Sequence, residues 1–358
     1  MSMKRSGLPE LVRGPFENRT EVLRALQADP EAFDGYAGLG RELQENFMQF
    51  CLGERGLNIT CDPVFKKVFD PEAHPERLED FLSLCLGEEL KILRVMPNES
   101  SRLTEDSSLL VMDILVRLSS GALVNVEIQR MGYYFPGSRC ACYSSDLVMR
   151  QYVQAKKERE REGKRFSYKD VKKVYTVVLI EESTKEFKEI PDQYLHYSKQ
   201  VFSTGLKLDL LQEYLIIPLD IFRKCCDNTG IRGKLDAWLY FISSDRIGDI
   251  KRVVSAYPEF ETLYREVFEF RYHVKELVSV YSKILSEYDA NTVKLMIEEC
   301  REEAELMRAE RDKAVKELDE AVKELHEETA RMKRENEEAQ AEVARLKALL
   351  EQSQAQQK

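Results

Sequence analysis

The chain has 358 residues, 43% of them hydrophobic and 33% charged, which suits two domains by length and supplies at least one sizeable core. With 11 prolines and 16 glycines the composition excludes collagen-like, linker-dominated and membrane-spanning classes, and the longest apolar runs, LLVMDILV and YLIIPL, are far shorter than the ~20 residues a bilayer span needs. The net charge of −10 hides an uneven distribution. Glu298 to Lys358 carries 12 basic and 18 acidic residues, whereas Ala155 to Lys173 carries nine basic residues against four acidic ones.

MSMKRSGLPE has no apolar signal core behind its basic start, so a cytoplasmic location is expected. The eight cysteines show neither a disulfide rhythm nor a CxxC pair and are expected to be reduced thiols. The four histidines (His74, His196, His273, His326) are isolated, which disfavours a structural zinc site.

Residues 1–58 read as a partly helical N-terminal extension, with an amphipathic stretch near GRELQENFMQFCLG. Asp62-Pro63 signals a helix start, Asp at the N-cap and Pro at the first helical position, and Asp70-Pro71 repeats the signal, predicting helices near 63–69 and 72–87. LLVMDILVRL, the turn Ser119-Ser120-Gly121 and ALVNVEIQR then predict a β-hairpin. A helix from Ser138 to about Glu162 follows, then apolar strands at KVYTVVLIE and EYLIIPL. Such mixing predicts an α/β fold over 59–233, a mixed sheet flanked by helices. Residues 234–297 read as a helical region and 298–352 as a coiled coil, before a frayed tail at 353–358.

The coiled-coil reading rests on Val315, Leu318, Val322, Leu325, Thr329, Met332, Asn336, Ala339, Val343, Leu346 and Leu350, which alternate between a and d positions. Asn336 at an a position favours a parallel two-stranded register, because its amide is best satisfied by its own copy. A homodimer through this tail is therefore expected, against the alternative of a solitary helix.

In the hairpin, a three-residue loop Ser119-Ser120-Gly121 puts glycine where a left-handed residue is required and sets Asp113 opposite Glu127. A two-residue loop would pair Asp113 with Val126 instead. Facing carboxylates repel, and a shared proton, a nearby cation such as Arg117 or Arg130, or a divalent metal would offset that repulsion. Val124, Val126 and Ile128 fall on one face of the second strand and Asn125, Glu127 and Gln129 on the other. The polar face is either an ordinary solvent side or a site. Asp113, an acid interrupting an otherwise apolar strand, argues for the site.

DPVFKKVF, an Asp in a hydrophobic strand, GALVNVEIQ, and Arg139 followed four residues later by Tyr143 together resemble the PD-(D/E)XK nuclease family transposases, relatives of recombination-promoting nucleases, from about Asp62 to Ile180. The resemblance implies a restriction-endonuclease-like core that cuts DNA with Mg²⁺, or with Mn²⁺ as a substitute. It makes Asp113 and Glu127 metal ligands, with the Ile128 carbonyl a third, and puts Gln129 where the broader superfamily has lysine. A glutamine hydrogen-bonds the attacking water but cannot deprotonate it, and TEDSSLL lacks the basic residue that members often carry before the aspartate.

Asp62 and Lys66 match the family's opening helix, where N-capping and an exposed helix face are the alternative explanations. Arg139 and Tyr143, one helical turn apart, suit either a phosphate contact with a supporting hydroxyl or an arginine–carboxylate bond that orients the site. Lys156, Lys157, Arg159, Lys164 and Arg165 are candidate DNA contacts, or else a solvated helix in which Glu158 to Glu162 pair with Arg161 and Arg165. The leading expectation is a metal-dependent DNA endonuclease of transposase type, dimeric through its tail, with no membrane association. The alternatives are an inactive DNA-binding or scaffold protein of the same fold, and an RNA or nucleotide hydrolase.

Overall fold

The computed structural model describes residues 11–96, 113–131, 137–287 and 291–356. Three short helices come first: α1 (Arg19–Gln27), α2 (Pro30–Gly38) and α3 (Arg41–Leu52). Asn18 caps α1, its Oδ1 accepting from the Glu21 N–H at 3.1 Å. Asp29 caps α2, accepting from Glu31 N at 3.0 Å ahead of Pro30. Helix α3 stops at Gly53 (φ +79°), where a β-carbon would run into the Val12 carbonyl, so only glycine fits.

Next come α4 (Asp62–Val68) and α5 (Pro75–Leu86). Two details differ from expectation. The first bonds of α4 run from Val64 N and Phe65 N to the Cys61 carbonyl, so Cys61 is the cap and Asp62 already belongs to the helix. Asp70-Pro71 opens a turn, not a helix. The Asp70 carboxylate takes the N–H groups of Glu72 and Ala73, and helical bonding resumes only at the second proline, Pro75.

The sheet has six strands, β1 (Ile92–Val95), β2 (Ile114–Leu118), β3 (Leu123–Met131), β4 (Val174–Glu182), β5 (His196–Lys199) and β6 (Gln212–Pro218), in the order β1-β2-β3-β4-β6-β5. β3, β4 and β6 are parallel and the outer pairings antiparallel, which is the mixed sheet expected of a restriction-endonuclease-like α/β core. Parallel neighbours need a crossover, and the long helix α6 (Gly137–Arg161) joins β3 to β4. The short edge strands β1 and β5 were not anticipated from sequence.

Between β6 and residue 287 the chain is helical, as α7 (Leu219–Thr229), α8 (Lys234–Ser243), α9 (Ile247–Ala256), α10 (Phe260–Glu269) and α11 (Val274–Glu287). The sheet's two faces are covered unequally. Val116, Val124, Val126, Val177, Leu179, Leu215 and Ile217 enter a large core. That core also takes Val22, Leu26 and Phe47 from the first helices and Trp238, Phe241, Phe260 and Tyr281 from the last. The core is therefore continuous across residues 58 and 233, where sequence reading divides the chain. On the other face Leu115, Leu123, Val174, Val178 and Ile180 pack under α6, against Cys140, Tyr143 and Leu147, with Met96 and Phe187 also packed against this smaller cluster.

Arg271, 1% exposed, ties the chain's early segments to the later helices. Its guanidinium donates to the carbonyls of Val12 (2.8 Å) and Arg55 (3.1 Å) and lies over the rings of Phe268 and Phe50. Burial pulls its pKa down to about 10. Arg271→Ala removes both donors and leaves a void between the rings, and is expected to cost about 3 kcal/mol in urea unfolding. A loss below ~1 kcal/mol would show that the two carbonyls find other partners.

Residues 290–358 form a separate unit, the 66-residue helix α12 (Asn291–Gln356). Val315, Leu318, Val322, Leu325, Met332, Val343 and Leu346 are all exposed along it. Among the described residues no helix is long and apolar enough to cross a membrane.

Candidate active site

The hairpin register follows the three-residue loop. Ile114 pairs with Val126, Leu115 with Asn125, Val116 with Val124 and Arg117 with Leu123. Gly121 has φ +87°, and its N–H and the Leu118 N–H close the turn on Leu118 O and Ala122 O, both at 2.9 Å. One step beyond Ile114, this register brings Asp113 against Glu127. The two are joined through the backbone: Ile128 N donates to Asp113 Oδ2 at 2.8 Å, and Asp113 N to Glu127 Oε1 at 3.3 Å. Both carboxylates lie on the α6 face of the sheet, at its end.

Their surroundings differ. Glu127 is 2% exposed and the Asp113 side chain 17%, so the pair opens outward through the aspartate. Burial, and then the Asp113 charge, raise the Glu127 pKa well above the ordinary carboxylate range, and the Arg139 charge opposes this only in part. Across the end of the sheet, Lys66 of α4 brings its Nζ to 3.4 Å from Asp113 Oδ1. From α6, Arg139 donates through Nε (3.1 Å) and Nη2 (2.8 Å) to the Tyr143 hydroxyl, one turn on. Tyr143 is 2% exposed, and burial together with the Glu127 charge raises its pKa. The two residues one helical turn apart are thus hydrogen-bonded to each other. Gln129 is half-buried on the Glu127 face, beside Ile180 of β4.

Several expected residues fall elsewhere. The Asp62 backbone opens α4, but its side chain, that of Arg130, and residues 97–112 with TEDSSLL are outside the described residues. Lys156, Lys157, Arg159, Lys164 and Arg165 do not join the carboxylates. Lys156 lies 17 positions beyond Arg139, about 25 Å at 1.5 Å per residue, so Lys156, Lys157 and Arg159 sit at the opposite end of α6 and Lys164 and Arg165 follow it. The salt bridges expected of Arg161 and Arg165 are not formed among the described residues. Instead Arg159 pairs with Asp170 at 2.5 Å, and Lys164 with Glu162 at 3.0 Å.

Sequence reading put Asn125 on the polar face of β3 but missed Thr176 and Ser144, which with it form a polar strip beneath α6. Asn125, Thr176 and Ser144 are completely buried, and their side-chain polar atoms have no hydrogen-bond partner among the described residues. Asn125 pairs in register with Thr176, on the same face as Glu127. It lies close enough to favour the glutamate's charge without forming a hydrogen bond. The signal was present in the letters: Thr176 interrupts the apolar run of VYTVVLI, as Asn125 does that of LVNV.

A restriction-endonuclease-like sheet ending in two opposed carboxylates defines a nuclease-type α/β protein. The description "PD-(D/E)XK nuclease family transposase" matches residues 59–295, and the chain belongs to that family. No curated protein and no solved structure matches it.

The donor set suits a hard divalent cation. Two carboxylates are held together at the cost of raising the Glu127 pKa, next to the orphaned Asn125 amide, and a divalent cation held by Asp113 and Glu127 would offset that cost. Among the described residues no cluster of three or more His, Cys, Asp or Glu side chains forms a fuller cage.

Proposed function

We propose that this chain is a divalent-metal-dependent DNA endonuclease of transposase or recombination-promoting type. The observation that carries the proposal is the juxtaposition of Asp113 and Glu127 at the open end of the hairpin, with Lys66 reaching the same carboxylate. In this reading Asp113, Glu127 and the Ile128 carbonyl hold Mg²⁺, with Mn²⁺ as a substitute. Such an ion, when bound, polarises a phosphate oxygen and acidifies a water.

The protein's own groups do the rest. Lys66 supplies the ammonium that Gln129, standing where the wider superfamily has lysine, cannot. It shields the carboxylates' charge from an incoming phosphate and orients the water on Asp113. Gln129 hydrogen-bonds that water. Arg139, held by the Tyr143 hydroxyl, meets the phosphate from the α6 side. Asp62, whose backbone opens α4, is carried as a supporting residue on the family resemblance alone.

The test is supercoiled plasmid incubated with the full chain and Mg²⁺, in parallel with EDTA. Conversion to open-circle or linear DNA only with the metal supports the proposal. Plasmid left intact at all Mg²⁺ and Mn²⁺ concentrations leaves a DNA-binding or scaffold protein of the same fold, and degradation of RNA alone assigns a ribonuclease.

The exposed seam of α12 supports a homodimer through a parallel coiled coil, which would present two cleavage centres to one duplex. Sedimentation equilibrium is expected to give twice the 41.7 kDa of one chain. Leu318→Glu with Leu325→Glu is expected to return the single-chain mass. A wild-type protein at 41.7 kDa at micromolar concentration would refute the dimer.

A further inference from the structure

We propose that the far end of α6 carries a second nucleic-acid contact, separate from the carboxylates: a stacking platform for unpaired bases built on Tyr152, Phe166 and Tyr168 and flanked by Arg165 and Lys169. Tyr168 is 78% exposed, an unusual position for a large ring that packing does not require. It is nevertheless held firmly. The one-turn 3₁₀ helix Tyr168–Asp170 is closed by a capping box, in which Ser167 Oγ accepts from Lys169 N at 3.3 Å and Asp170 from Ser167 N at 2.9 Å. Arg159 fastens the same Asp170 to α6.

Behind the exposed ring, the Tyr152 plane lies within 17° of parallel at 6.2 Å. Phe166 stands edge-on to both, at 87° and 76°. The ring is therefore presented in advance, and binding pays little to order it.

The charge around the platform points to a polyanion. Of the nine basic residues between Ala155 and Lys173, Arg159, Lys164 and Lys173 are engaged with carboxylates. Lys156, Lys157, Arg161, Arg165 and Lys169 are exposed, and among the described residues none of them forms an ion pair. An acidic protein would satisfy the cations but leave the aromatic face unused. A base-paired duplex hides its base faces in the stack. A single strand offers both, phosphates to Arg165 and Lys169 and a base face to Tyr168. Tyr152 lies 13 positions beyond Arg139 on α6, about 20 Å at 1.5 Å per residue, so the platform is roughly six stacked nucleotides from Arg139. It therefore suits an unpaired flank of the bound nucleic acid, not the bond being cut.

The test is fluorescence anisotropy of the full chain with a labelled oligothymidylate of about 20 nucleotides and with a duplex of the same length, in EDTA so that cleavage plays no part. The single strand is expected to bind. Tyr168→Ala should weaken it on the order of tenfold, Tyr168→Trp should retain it, and Arg165→Ala with Lys169→Ala should lower the salt dependence by one to two ions. Tyr168→Ala binding as wild type does, or wild type failing to bind the single strand, overturns the inference. Glu127→Ala is expected to keep this binding whether or not the protein proves to be a nuclease, so the two readings fail separately. Unchanged melting temperatures identify a lost surface, not a lost fold.

Discussion

Asp113→Ala or Glu127→Ala is expected to reduce plasmid cleavage at least ~10³-fold, because each removes one of the two charged oxygen donors on which the site is built. A metal contributes several kcal/mol to the transition state, and every 1.4 kcal/mol is a factor of ten in rate. Asp113→Asn and Glu127→Gln keep the shape and should lose nearly as much, which separates charge from packing. Lys66→Ala should cost less, on the order of tenfold, since Lys66 shields the carboxylates from beside them, its Nζ 3.4 Å from Asp113 Oδ1, and is not itself one of the two oxygen donors. Asp113→Asn and Glu127→Gln cutting at the wild-type rate would remove the hairpin from the chemistry altogether.

The second large effect appears without any substrate. Glu127 is buried against Asp113, so its folded pKa lies above its unfolded value. The stability it contributes is fully present below the ordinary glutamate range. It is lost as the pH rises from there through the folded pKa, at up to about 1.4 kcal/mol per pH unit. Other groups face the same carboxyl, the charges of Asp113 and Arg139 and, with burial pushing both up, the Cys140 thiol and the Tyr143 hydroxyl. The informative quantity is therefore the difference from Glu127→Gln. In EDTA, Glu127→Gln is expected to melt progressively above wild type as the pH goes from 5 to 8. Millimolar Mg²⁺ at pH 8 should then raise wild type and leave Glu127→Gln unmoved, by the linkage of binding to folding. Parallel melting curves across that range would mean Glu127 ionises without penalty, and no cation would be needed to hold it.

Much of this site was legible in the letters, for a local reason. Side-chain alternation and the position of Gly121 limit the hairpin to two registers with no help from the rest of the chain, and the three-residue loop that the structure adopts is the one that sets Asp113 against Glu127 on a shared face. Helical spacing placed Tyr143 one turn from Arg139 in the same way. Local signals also misled. Asp70-Pro71 has the chemistry of a helix start, yet Asp70 closes a turn on Glu72 and Ala73.

The sequence by itself determined the hairpin, the four inner strands, the helix between the second and third of them, the long C-terminal helix and, through the three-residue loop, the opposed acids, because each depends on a repeat or turn a few residues long. Only the tertiary structure decided that the polar face of β3 lies beneath α6 and not in solvent. It alone brought Lys66 round to Asp113, and it carried the basic residues of 155–173 to the opposite end of that helix. Those outcomes depend on which elements pack together and on the axial distance spanned by 25 residues of helix, and neither is encoded in any short window of sequence.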